Sequence, residues 1–182
     1  MSAFALALAV FSLLVLPGPT NTLLALSAEK LTPGQYTGRL ATVMAAYIAV
    51  VVPFAWIAGP ILQDHVQVAK SVKLASAGWV LYLGFRVWTS EKQFDGATLG
   101  NGRLLLTTLL NPKGLMLGLT ILPPSPLSLA ILTSVVALTS SIWIFAGRAI
   151  VGTGSRRRVI ARKIGSGVLC LFSVAFAASI WS

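Results

Sequence analysis

Apolar segments long enough to cross a bilayer recur along this chain with only short polar interruptions. Crossing roughly 30 Å of hydrocarbon takes about 18 or more mainly apolar residues. Six segments meet that description, at about 3–28, 40–62, 71–88, 104–122, 127–147 and 164–181. Lipid cannot hydrogen-bond a bare backbone, so each segment is expected to be a helix that satisfies its own peptide groups. The segments occupy most of the 182 residues, which predicts one transmembrane domain, 1–182, with little chain left for a soluble one. Charged residues make up 10% of the chain, against roughly 25% in an ordinary soluble domain.

The basic residues give the expected topology. Eleven of the 14 fall after the first, third and fifth segments: Lys30 and Arg39, then Arg86, Lys92 and Arg103, then Arg148, Arg156, Arg157, Arg158, Arg162 and Lys163. The other side has only Lys70 and Lys73. The positive-inside rule puts the odd connections in the cytoplasm, including the basic loop 148–163, and both termini outside. Topology thus accounts for the net charge of +10 without nucleic acid as a partner, since the basic residues flank the apolar segments. The cluster "SRRRVIARK" also suits anionic lipid, although topology alone explains it. The first segment is read as a retained helix rather than a cleaved signal peptide, because Met1 to Leu16 contains no Lys or Arg.

Metal and thiol chemistry have little material to work with. Cys170 and His65 are the only residues of their kinds, so neither an intramolecular disulfide nor a His/Cys metal cluster is expected. No Ser/His, Asp/Asp or His/Glu/His set lies inside the segments, so an enzyme is not expected, and neither metal nor cofactor is assigned.

Two segments carry interruptions. In "VLPGPTNTLLALS" Pro17 and Pro19 lack the N–H groups that would serve the carbonyls of Leu13 and Val15 in a continuous helix. In "TTLLNPKGLMLGL" Pro112 does the same to Thr108. Such breaks survive in a membrane where protein or a watery cavity supplies partners. They fall about 14 and 7 residues into segments one and four, or ~21 and ~10 Å at 1.5 Å per residue. If the chain is two three-helix halves, the second enters in the opposite direction, and paired interruptions in inverted repeats point to a transport site near the midplane.

The residues at the breaks suit a zwitterion. Gly18 with Pro19, and Asn111 with Pro112, read as the cap and first position of two new half-helices. Helix N-termini suit a carboxylate, and carbonyls freed before a break suit an ammonium. Lys113, in mid-segment, is expected to face the interior and pair with a substrate carboxylate; the alternative is a side chain that snorkels to the interface. Thr20, Asn21 and Thr22 add polar groups, as substrate contacts or simply as caps. Tyr82 is a further candidate for hydrogen bonding in a cavity. Gly78 and Gly84 suit helix packing, and Gly114 and Gly118 form a G-x-x-x-G spacing that fits contact within one chain or in a homodimer. Pro53 is expected to kink the second helix, "LPPSPL" to form a tight turn, and Trp56, Trp79, Trp88, Trp143 and Trp181 to sit at interfaces or against lipid.

At this point three stretches in order resemble the LysE family of amino-acid exporters, which includes the RhtB-type homoserine and threonine exporters. "PGPTNTLLALSA" is similar to the family's PGP-N-T-L signature, "KLASAGWVLYLGFRVWTS" to its third-span motif and "NPKGLMLGLTILP" to its NPK segment. The resemblance implies a secondary exporter of amino acids or related small metabolites in a bacterial inner membrane, driven by the proton gradient. Thr20 departs from the pattern as an extra residue between PGP and asparagine, which shifts Asn21 by about 100° around a helix. All four carboxylates, Glu29, Asp64, Glu91 and Asp95, lie in or near loops. No embedded acid is therefore available to carry a proton or balance a dibasic substrate, which favours neutral amino acids such as homoserine, threonine or leucine. The competing expectation is a structural or partner-dependent membrane subunit with no transport of its own.

Overall fold

The computed structural model of this chain describes residues 2–28, 31–58, 66–89, 100–151 and 155–178. Every regular element in these stretches is helical. The first segment forms α1 (Ala3–Val15) and α2 (Pro19–Leu26), whose axes differ by 62° across the break. Ser2 caps α1 by accepting the Ala5 N–H at 3.2 Å. Next, α3 (Pro33–Pro53) opens on a capping box between Thr32 and Gln35, with Pro33 at its first position. At Pro53 the helical ladder loses a donor, and the chain widens into a π-helical turn, Phe54–Ala58.

The remaining elements are α4 (Val66–Thr89), α5 (Asn101–Leu109), α6 (Pro112–Met116) with a second π-helical turn (Leu117–Ile121), α7 (Pro126–Val151) and α8 (Ser155–Ala178). The proline-rich turn stops the chain as expected: Ser125 accepts the Ser128 N–H at 3.1 Å as α7 begins. Among the described residues two stretches of 25, Pro33–Ile57 and Pro126–Ile150, are long and apolar enough to cross a membrane, and the bent pair α1 and α2 raises the number to three. Six such segments were expected. Part of the difference lies in the fourth segment, which divides into pieces of 9, 5 and 5 residues, the longest only ~14 Å at 1.5 Å per residue.

Small residues set the packing. Helices α4 and α8 run antiparallel, because Ser166 Oγ donates to the Gly84 carbonyl at 2.7 Å and, seven residues further along α8, Ser173 Oγ donates to Ala77, seven residues back along α4, at 2.8 Å. A Cβ on Gly84 would lie 2.9 Å from Cys170 Sγ. Gly78 has open space instead. The G-x-x-x-G spacing serves contact within the chain: a Cβ on Gly118 would lie 2.6 Å from Phe54 Cβ, and one on Gly114 would lie 3.2 Å from Val50 Cγ1. It therefore gives no support to a homodimer.

The short helix α2 lies at the centre, against α5, α7 and α8. Gly147 of α7 packs directly on it, since a Cβ there would collide with the backbone of Ala25. On another side, a Cβ on Gly165 would lie 2.9 Å from Thr22 Cγ2. The core around α2 is built from Val10, Leu14, Leu23, Leu24, Val43 and Leu132, among others. Glu29, Lys30, Asp64, His65, Glu91, Lys92, Asp95 and Trp181 lie outside the described residues.

Candidate functional site

At the first break, Leu16, Pro17 and Gly18 leave the helix, and the preceding carbonyls need new partners. Asn21 turns back from the next half-helix and donates through Nδ2 to the carbonyls of Leu14 at 2.7 Å and Leu16 at 2.9 Å. Trp143 of α7 donates its indole N–H to the Val15 carbonyl at 3.1 Å. Lys113 reaches in from the second break, and its ammonium donates to the Leu16 carbonyl. Gly18 makes that approach possible: a Cβ there would lie 3.0 Å from Lys113 Cε and 3.2 Å from Nζ. Lys113 is 2% exposed and does not snorkel outward.

The second break is narrower. Leu110 and Asn111 separate α5 from α6, and Asn111 caps α6 as expected, its side-chain oxygen accepting the Lys113 N–H at 3.1 Å. Its amide donates to Thr20 Oγ1 at 2.9 Å and to the Tyr47 hydroxyl at 3.2 Å. Thr20 and Thr108 hydroxyls lie 3.2 Å apart, and Thr108 donates to the Leu104 carbonyl at 2.8 Å. Each hydroxyl has one proton to give. The chain of donation therefore runs from Asn111 to Thr20, to Thr108, to the Leu104 carbonyl. Thr20, Tyr47, Thr108 and Asn111 are all buried.

The two breaks, some ninety residues apart in sequence, thus meet as one polar cluster inside an apolar shell. The structure brings together eight of the nine candidate residues: Pro17, Gly18, Pro19, Thr20 and Asn21 from the first break, and Asn111, Pro112 and Lys113 from the second. The extra residue Thr20 makes the link between the breaks, while Asn21 caps the carbonyls behind it. Tyr82 is elsewhere. It is half exposed on α4, its ring 5.6 Å from that of Trp79 and beneath the Arg86 guanidinium at 5.9 Å.

Tyr47, Thr108 and Trp143 belong to the cluster, and the sequence did not mark their side chains as site candidates. Tyr47 carries the one polar atom of an apolar run and Thr108 sits three residues before Asn111, which is the only signal either leaves. Trp143 and Trp79 were expected at interfaces or against lipid; the Trp79 indole N–H meets Thr107 Oγ1 at 3.3 Å. Both indoles are partly buried, and the N–H of each finds a partner inside the protein. Two arginines read only as topological charges also act on α2. Arg39, 2% exposed, donates to the Ser27 hydroxyl and, at 3.0 Å, to its carbonyl. Arg148 donates to the carbonyls of Ala28 at 3.2 Å and Leu31 at 2.8 Å. Cations at a helix C-terminus complete its orphan carbonyls and oppose its negative dipole end.

Chemically, the cluster holds an ammonium on a backbone carbonyl beside a line of hydroxyls and amides. Comparison with family models, curated proteins and solved structures gave no match.

Proposed function

We propose that the chain is a secondary active exporter of neutral amino acids, with its substrate site where the two helix breaks meet. The observation that carries this reading is the Lys113 ammonium seated on the Leu16 carbonyl at the first break. A carbonyl that accepts from one ammonium suits another, so a substrate α-ammonium takes that place when Lys113 withdraws. Lys113 then pairs with the substrate carboxylate, so the exchange adds no net charge and leaves neither the carbonyl nor the ammonium without a partner. A neutral amino acid adds no net charge to a buried site, which keeps the desolvation cost low.

In this reading the chain crosses a bacterial inner membrane six times as two inverted three-helix halves, with both termini outside, loop 148–163 cytoplasmic and the breaks near the midplane. The antiparallel pairing of α4 with α8, the third and sixth segments, supports it. Outward direction and proton coupling follow from the resemblance to the LysE family. The buried cluster corresponds to a closed state, and access requires the first break to open.

The test uses purified chain in liposomes loaded with labelled neutral amino acids under an imposed proton gradient. Gradient-dependent release without any added protein is expected. Absence of release for every amino acid, with the chain correctly inserted, contradicts the proposal and leaves a partner-dependent subunit as the reading.

A further inference from the structure

We infer that the groove between α4 and α8 binds one anionic glycerophospholipid, its phosphate at the end marked by Arg86 and Lys163 and an acyl chain along the helices. The inference rests on the chain being inserted in a membrane with its basic loops cytoplasmic, and not on transport.

The groove has a volume of about 730 Å³, and Gly78, Tyr82, Phe85 and Trp88 of α4 face Ser166 and Cys170 of α8 across it. Its one hydroxyl from α8 is already committed, since Ser166 donates to the Gly84 carbonyl at 2.7 Å, so the lining offers apolar surface to a ligand. From Gly78 to Trp88 the helix rises ~15 Å at 1.5 Å per residue, about half of the ~30 Å hydrocarbon core. That is the depth of a single leaflet, the reach of one acyl chain. Phe85 is 65% exposed and Trp88 is 55% exposed along this length.

Two cations lie beside the lining towards its Trp88 end. Lys163 Nζ lies 5.8 Å over the Trp88 ring, and the Arg86 guanidinium lies 5.9 Å over the Tyr82 ring. The antiparallel register that pairs Gly84 with Ser166 sets Arg86 and Lys163, from different helices, at nearly the same level beside the groove. Tryptophan and basic side chains at that level match the headgroup region, and the cytoplasmic leaflet is where anionic lipid concentrates. A second copy of the chain is a poorer occupant: a two-fold axis along the membrane normal would set Arg86 and Lys163 against their own copies.

Native mass spectrometry of the full chain, released from bilayers of equal phosphatidylglycerol and phosphatidylcholine, tests this. One phosphatidylglycerol is expected to be retained per chain, favoured about 25-fold over phosphatidylcholine, with about 5-fold of that lost for each cation removed in Arg86→Gln and Lys163→Gln. Lys163→Arg should keep the preference. Gly78→Leu, which points into open space, should lower retention of both lipids while leaving the chromatographic profile of the folded chain unchanged. Equal retention of the two lipids by the unaltered chain overturns the inference. So does a preference that survives loss of both cations, or a dimer that Gly78→Leu dissociates without changing lipid retention. Failure of transport in liposomes leaves these outcomes intact.

Discussion

At the first break three residues leave the helix, the axis turns by 62°, and the bared carbonyls are served by Asn21, by Trp143 from α7 and by Lys113 from the other break. At the second break two residues intervene, and most of the repair is local. Leu110 N–H reaches the Leu106 carbonyl at 3.0 Å, Asn111 N–H reaches Thr108 at 3.1 Å, Gly114 N–H reaches Asn111 at 2.9 Å, and Asn111 caps its own helix. Both breaks end on a proline at a helix start, but the wider gap of the first also needs Trp143 and Lys113 from distant elements to serve its carbonyls. A gap closed from a distance is undone when its partners move. In the proposed transport cycle the first break is therefore the movable half of the site and the second the fixed half.

That contrast is exposed most strongly by Lys113, the side chain that joins the halves. Lys113→Met keeps the chain length but removes the ammonium, and efflux of preloaded neutral amino acids is expected to fall at least about 10-fold with insertion unchanged. Unchanged efflux would remove Lys113 from the site. Next in size is Gly147→Ala, whose Cβ meets the backbone of Ala25 and is expected to cost about 1–3 kcal/mol in thermal or detergent unfolding.

Asn111→Ala and Asn21→Ala compare the halves directly. Loss of Asn111 removes a cap and the partner of Thr20 and Tyr47, for an expected cost of about 2 kcal/mol. Loss of Asn21 frees the carbonyls of Leu14 and Leu16, at about 1–2 kcal/mol, and should speed amide exchange around the first break only. Faster exchange around Asn111 in the Asn21 variant would reverse the assignment of movable and fixed halves. The smallest effect is the coupling between Thr20→Val and Asn111→Ala in a double-mutant cycle, expected near ~0.6 kcal/mol for a hydrogen bond within a membrane protein.

The breaks themselves were legible in the sequence because proline removes a donor wherever it stands, and the Asn111–Pro112 cap follows from the same rule. Helical class and the turn before α7 were legible for equally local reasons. Which faces meet was not. Hydropathy marks a segment as apolar all round and carries no azimuth, so nothing in it pairs Thr20 with Asn111, sends the Trp143 indole to Val15 or turns Tyr82 out of the cluster. Arg39 and Arg148 were read by side of the membrane alone, while their contacts with the end of α2 depend on a bend whose direction only packing fixes. The widening of two helices into π turns was also hidden, since Gly118 and Phe54 become neighbours only in the folded chain.

The most direct measurement is a structure of the chain with a neutral amino acid bound. The account predicts the substrate ammonium on the Leu16 carbonyl, its carboxylate on Lys113 Nζ, and α5 and α6 unmoved while α1 and α2 shift. A substrate bound away from both breaks, or one that leaves Lys113 seated on Leu16, would contradict it.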